Sequence, residues 1–274
     1  MGQLRLDDRR VFYHERGLGE AVVLLHAGAT SGKQWAKVAQ ILQDKFRVIA
    51  PDLWGFGETE HWSGEEELTH DHQAILVVGV IEQLCDGPVH LVGHSYGGAT
   101  AVRVMLHHRA LVRTSVLIEP ILTPLLNLAG EQGLFREYVT MAESFMRNSA
   151  AGDIDEAWRG FLDYRNGSGT WQALPETQKQ RFRAVTESTL AGFRSNLSNP
   201  TSLSDLNRLS PPTLILCGEK TTTPDRRVTE ILREHTPQSR YELIPGAEHM
   251  SPLTHPAFIA DAIARHVNAA SHHR

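Results

Sequence analysis

The stretch Pro88 to Gly98, Pro-Val-His-Leu-Val-Gly-His-Ser-Tyr-Gly-Gly, constrains what this chain can fold into more than any other. Its apolar residues Val89, Leu91 and Val92 read as a short buried strand. The apolar spacing of Ala99, Ala101, Val102, Met105 and Leu106 reads as a helix, so the chain must reverse within Gly93-His94-Ser95-Tyr96-Gly97. Glycines at both flanks remove the side chains that would collide in such a turn, and Ser95 is left at the apex on strained backbone with its hydroxyl exposed. The first peptide N–H groups of the new helix point to the same spot. That of Tyr96 would face an oxygen that becomes negative when the hydroxyl attacks a carbonyl.

Gly93-x-Ser95-x-Gly97 resembles the nucleophile elbow of the α/β-hydrolase family. Taken alone, the motif also fits a tight turn with an idle serine, so the rest of the chain has to decide.

Size and composition narrow the choices. With 274 residues the chain can bury a substantial core as one α/β domain carrying an insertion, and 41% hydrophobic with 22% charged residues is ordinary for a globular protein. A net charge of -5 gives no basic footprint for nucleic acid. Met1 to Arg10 lacks the apolar centre of a signal peptide and no run is long enough to span a membrane, so the reading is cytoplasmic. The two cysteines, Cys85 and Cys217, read as small core residues rather than a disulfide or a thiolate metal site.

In chain order, Gln3–Asp7 and Arg10–His14 read as an antiparallel edge. Ala21–Leu25 is a continuous apolar strand entering His26-Ala27-Gly28, which resembles the family's His-Gly-x loop; the resemblance implies that Gly28 supplies a second oxyanion N–H, although Ala27 replaces the usual glycine. A first helix holds Trp35, Val38, Ile41 and Leu42. The strand Phe46–Ala50 runs into Asp52-x-x-Gly55-x-Gly57, where Asp52 reads as a carboxylate tying the glycine turn together, with Trp54 and Phe56 near the pocket mouth. Ser63 and Glu66 resemble a capping box opening the next helix. After the strand Thr114–Ile118 the alternation of strands and helices stops, and helical patterns around Leu134–Phe145, Ile154–Tyr164 and Pro175–Leu190 suggest an inserted cap. Its aromatics read mostly as cap core, with one or two facing an apolar substrate. Alternation resumes at Pro212–Cys217. Thr223 then caps a helix with Pro224 in its first position, Tyr241–Ile244 is the last strand, and a final helix covers about 255–267.

Fifteen histidines make any single one uninformative by type. Position sets His249 apart, because it follows the last strand in a Gly-x-x-His loop, where the resemblance implies the general base. His94 is expected to point toward the sheet or the helix flank, and His107 and His108 suit a helix end. His272 and His273 read as a terminal tail. The third member departs from the common pattern, since Gly218-Glu219-Lys220-Thr221 lacks the usual Asp. Two carboxylates could replace it, Asp225 and Glu119. Asp225 has a sufficient role offsetting the dipole of a helix first turn, whereas Glu119 ends an apolar strand and needs a partner to offset its desolvation. Glu119 is therefore the expected acid.

The expectation is an α/β-hydrolase fold: a mostly parallel eight-stranded sheet with helices on both faces and a helical cap inserted after the sixth strand. Residues 1–120 and 208–274 would form the core and 121–207 the cap. Ser95, His249 and Glu119 would be catalytic and Gly28 and Tyr96 would form the oxyanion hole. The chain would cleave an ester, thioester or lactone of a small apolar molecule through an acyl-enzyme, with no cofactor and no metal. A carbon–carbon bond hydrolase or cofactor-free perhydrolase on the same residues, or a ligand-binding or accessory protein with a slow or idle triad, are the other readings. Partners would be a small-molecule substrate, with no nucleic acid and no membrane; a homodimer stays open.

Overall fold

The computed structural model describes residues 1–271; the tail positions His272 and His273 lie outside the described residues. Its strands are β1 (Gly2–Leu6), β2 (Arg9–Arg16), β3 (Ala21–Leu25), β4 (Arg47–Pro51), β5 (Val89–His94), β6 (Val112–Ile118), β7 (Thr213–Gly218) and β8 (Ser239–Ile244). They form one sheet in the order β1-β2-β4-β3-β5-β6-β7-β8. Only the β1–β2 and β2–β4 pairings are antiparallel; every pairing from β4 through β3 to β8 is parallel.

Period-two alternation feeds both faces of the central strands. Val23, Leu25, Leu91 and Leu117 point into one apolar cluster, whereas Val22, Leu24, Val92 and Val116 point into the other. The second cluster is covered by α1 (Ala36–Leu42) and the first by α2 (His70–Leu84) and α3 (Tyr96–His107). Between β6 and β7 lie α4 (Pro124–Leu128), α5 (Gln132–Ala150), α6 (Ile154–Asn166), α7 (Thr170–Ala173), α8 (Glu176–Ala184), α9 (Thr186–Leu197) and α10 (Leu203–Leu206). These helices have their own core around Tyr138, Phe145, Trp158, Trp171 and Phe193. Then α11 (Thr223–His235) joins the face of α2 and α3, α12 (Ser251–Thr254) is one short turn, and α13 (Pro256–Ser271) packs beside α1. Each aliphatic side chain fully buried in these clusters contributes about 1.5–3 kcal/mol relative to an exposed position.

Several boundaries differ from the sequence reading. The helix expected after Ser63 starts only at His70: Thr69 is its N-cap, and the ring of His72 bonds back to the Thr69 N–H in a capping box of its own. The carbonyl of Glu66 instead accepts from the Trp62 indole. Thr222, one residue earlier than expected, caps α11, which leaves Thr223 and Pro224 as its first two residues. The pattern over 175–190 is two helices broken at Val185, and the last helix runs on to Ser271. Ile41, counted with the first helix's apolar positions, is 49% exposed. No helix among the described residues is long and apolar enough to cross a membrane.

Candidate active site

The turn from β5 into α3 leaves no room for side chains at its flanks. A Cβ on Gly97 would come within 2.5 Å of the Leu25 carbonyl oxygen, and one on Gly93 within 2.5 Å of the Gly97 oxygen. Between them Ser95 takes φ 55° and ψ −116°, outside the regions open to ordinary L-residues. Two backbone bonds hold the turn in place, from the Ser95 N–H to the Ile118 carbonyl at 2.9 Å and from the Gly97 N–H to the His26 carbonyl at 3.0 Å. The elbow is thus tied to β6 on one side and to the loop after β3 on the other.

That loop is braced by buried polar groups the sequence reading did not single out. The ring of His26 accepts from the Leu53 N–H at Nε2 (3.0 Å), so its Nδ1–H donates to the Ala27 carbonyl (2.7 Å). Burial holds the His26 pKa below its ordinary value, consistent with that neutral tautomer. Gln34 Oε1 accepts from the Ala27 N–H at 3.1 Å, which turns the neighbouring residue, Gly28, toward the cavity beside Ser95 and Tyr96. Tyr96 opens α3, so its N–H has no partner within the helix. Asp52 does tie its turn together as expected, accepting from the Glu58 N–H at 2.9 Å, and it also reaches the Gly32 N–H at 2.7 Å.

His249 lies after β8 with Nε2 3.0 Å from Ser95 Oγ and Nδ1 2.6 Å from Glu119 Oε2. Glu119 is completely buried at the end of β6, with φ 41°. Its Oε1 accepts from the Gly218 N–H at 2.6 Å, and Oε2 also accepts from the Thr221 hydroxyl at 2.7 Å. Thr221, standing near where the common pattern keeps an acid, is thus a donor to Glu119, a carboxylate from the end of another strand. His94 does not merely flank the sheet. Gln34 Nε2 donates to its Nδ1 (3.1 Å), and its Nε2–H donates to the His249 carbonyl at 2.9 Å, bracing the loop that carries His249.

Asp225 is more than a helix-end charge. It occupies the first turn of α11 as expected, yet it is buried and forms an ion pair with Arg165 of α6. Its Oδ2 is 3.7 Å from His249 Nδ1, against 2.6 Å for Glu119. Glu119, Asp225 and His249 offer ligand atoms all within 4.8 Å of one another, a spacing that a metal ion could use. The Arg165 guanidinium already supplies a positive charge there. His249 is held below its ordinary pKa of 6.5, first by burial and then by Arg165, with Glu119 pulling the other way.

A cavity of about 260 Å³ opens onto Ser95 and His249. Its wall is largely apolar; Phe161, Phe182 and Phe193 reach it from the inserted helices, as does Tyr138, while Phe56 comes from the loop after β4. Trp54 instead lines a separate cleft with Trp62. A profile of the α/β-hydrolase fold matches residues 20–256. The chain belongs to that family. Over 269 residues, 94% of each chain, it is 26% identical to the uncharacterized hydrolase YugF of Bacillus subtilis. Over 113 residues, 39% of this chain and 37% of the relative, it is 38% identical to the 2-hydroxy-6-oxo-6-(2'-aminophenyl)hexa-2,4-dienoic acid hydrolase of Metapseudomonas resinovorans. The 2-hydroxymuconate semialdehyde hydrolase of a Pseudomonas strain likewise matches over only 39% of its length, at 33% identity. Among solved structures, the α/β hydrolase MGS-M2 from a deep-sea metagenome library superposes with TM-score 0.81 at 17% identity, covering 97% of each chain. At that identity the likeness speaks for the fold.

Proposed function

We propose that the chain is a serine hydrolase that cleaves an ester, thioester or lactone of a small, largely apolar substrate through an acyl-enzyme. Residues 1–120 and 208–274 are its catalytic core and 121–207 its cap. The observation that carries the reading is the continuous path Ser95 Oγ to His249 Nε2, then His249 Nδ1 to Glu119, opening onto an apolar cavity. Glu119 fixes the Nδ1–H tautomer, which leaves Nε2 a lone pair for the Ser95 proton. The hydroxyl oxygen attacks the substrate carbonyl, the N–H groups of Gly28 and Tyr96 receive the developing oxyanion, and the imidazolium returns the proton to the leaving group. Water, activated by the same ring, releases the acid. Short p-nitrophenyl esters and labelling of Ser95 by a fluorophosphonate test this: an idle serine gives neither burst nor label.

The name of one relative, the 2-hydroxy-6-oxo-6-(2'-aminophenyl)hexa-2,4-dienoic acid hydrolase, favours a second reading, hydrolysis of a carbon–carbon bond next to a ketone in a 2-hydroxy-6-oxo-dienoate. The same Ser95 and His249 would serve it. Assaying one such dienone beside the esters separates the two by kcat/KM.

Two expected results follow from the electrostatics. Because burial and Arg165 hold His249 low, its neutral, base-competent form persists below the ordinary pKa of 6.5. The acid limb of kcat/KM should therefore lie below pH 6.5 and follow one proton; a limb at 7 or above contradicts it. Because Arg165 supplies the cation beside Glu119 and Asp225, prolonged dialysis against EDTA should leave ester hydrolysis unchanged. Loss of activity restored by one particular divalent ion would contradict the assignment.

A further inference from the structure

Arg165 is an unusual residue for the end of a cap helix. Its side chain is 5% exposed, its partner Asp225 is 4% exposed, and the two come from different parts of the chain, α6 and α11. The guanidinium carbon lies 5.7 Å from the Tyr138 ring, 5.9 Å from Phe161 and 5.7 Å from Tyr164, so aromatic faces from α5 and α6 surround the charge. Asp225 also accepts from the Thr222 hydroxyl at 2.8 Å, which fixes the carboxylate from the α11 side. This pair is seated within reach of the His249 ring, 3.7 Å from Nδ1 to Asp225.

Two carboxylates therefore approach one imidazole N–H, and only one can be its partner. With both carboxylates free of other cations, the imidazolium would be better stabilised and the ring would stay protonated to higher pH, leaving less of its base-competent form near neutrality. We propose that Arg165 is a positioning residue for the reaction: carried on the cap, it binds Asp225 so that Glu119 alone serves His249, and docking of the cap thereby sets the charge that the base meets. When the cap lifts, Asp225 loses its cation and the ring gains a second anionic neighbour, so near neutral pH a larger share of the ring is already protonated and unable to take the Ser95 proton than with the cap seated. The charged and titratable groups that face the ring are Glu119 from the end of β6, Asp225 from α11, Arg165 from α6 and His94 from the end of β5. His94 is held well below its ordinary pKa, chiefly by burial, so it adds no switch of its own in this range.

The inference rests on the proposed roles of Ser95 and His249, and its test reads the ring directly as well as through turnover. Arg165→Met, Asp225→Asn and the double variant are titrated by NMR with ¹³C-labelled histidine, the His249 signal being assigned by its loss in His249→Ala. In parallel, the acid limb of kcat/KM is measured on a p-nitrophenyl ester. Arg165→Met removes a cation and exposes an anion, so the His249 pKa should rise by on the order of one unit. Asp225→Asn leaves an unopposed cation and should lower it. The double variant should return close to wild type. Opposite shifts that cancel are not what a merely structural latch would give, since loosening the cap would move both single variants the same way. An unmoved ring in Arg165→Met, shifts of one sign in both variants, or a raised KM with the limb in place would overturn the proposal, the last assigning Arg165 to substrate contact instead. If Arg165→Met does not fold, Asp225→Asn carries the test alone, and a rise or no change there is equally fatal. If no ester is turned over while the NMR shifts appear as described, the reading of Ser95 fails and that of Arg165 stands.

Discussion

Ser95→Ala and His249→Ala are each expected to lower kcat/KM for an ester by roughly 10⁴-fold or more, and the double variant to be little worse than either. The non-additivity follows from the geometry. Ser95 Oγ is 3.0 Å from His249 Nε2, so in the proposed reaction the hydroxyl acts as nucleophile only while the ring can take its proton, and the ring has nothing to do without the hydroxyl. Neither change should unfold the chain. Alanine keeps the apex short, the bonds that hold the elbow run through backbone groups of Ser95 and Gly97, and the His249 carbonyl that meets His94 survives truncation of its side chain. Thermal unfolding of both variants should stay within a few degrees of the parent. Turnover near the parent rate by either variant would remove the nucleophile and base from the proposal, whereas loss of activity together with loss of the folded state would say nothing for it.

How much of this was legible in the sequence depends on the range of the interaction. The elbow was, because glycine on both sides of a serine between a strand and a helix is a local steric requirement, and the contacts a Cβ would make at Gly93 and Gly97 bear it out. That His249 and Glu119 would meet, as they do at 2.6 Å, was expected from the place of the one after the last strand and from the oddity of the other, an acid ending an apolar strand. Short-range chemistry misled where two caps competed: Ser63 with Glu66 had the right spacing, but Thr69 and His72 formed the box that opens α2. Arg165 could not have been found. In Asp163-Tyr164-Arg165-Asn166 it reads as a solvated cation near a helix end, and only the tertiary fold, which brings the end of α6 to the start of α11, buries it against Asp225. The same contact makes the dipole reading of Asp225 incomplete. Gln34 and His26 were equally silent, since their value lies in bonds to backbone groups of a loop and a ring from distant strands. A buried neutral histidine leaves no mark on composition.

The identity of the acid gives the second large effect. Glu119→Gln should cut kcat on the pH 8 plateau by roughly a hundredfold or more, by analogy with neutralising a triad acid. The tautomer is the reason. Glu119 Oε1 accepts from the Gly218 N–H and Oε2 from both the Thr221 hydroxyl and His249 Nδ1–H, so every bond at this carboxylate requires an acceptor. A glutamine has one acceptor oxygen. If it stays with Gly218, the amide NH₂ faces the ring, Nδ1 must become the acceptor, and the proton moves to Nε2, where it blocks the lone pair that Ser95 needs. If the amide flips, a buried N–H donor is left facing the Gly218 N–H, a conflict between two donors that costs about 1–3 kcal/mol of stability. Asp225→Asn removes a carboxylate that stands 3.7 Å from Nδ1 and is held by Arg165, so the ring keeps its Glu119 bond and its tautomer. Its kcat at pH 8 should fall far less than that of Glu119→Gln, even though the unpaired Arg165 destabilises the fold. Measuring kcat for both variants at pH 8, alongside their unfolding midpoints, decides between the carboxylates: the reverse ranking would make Asp225 the acid that orients His249 and leave Glu119 as a brace for the Gly218 to Thr221 loop.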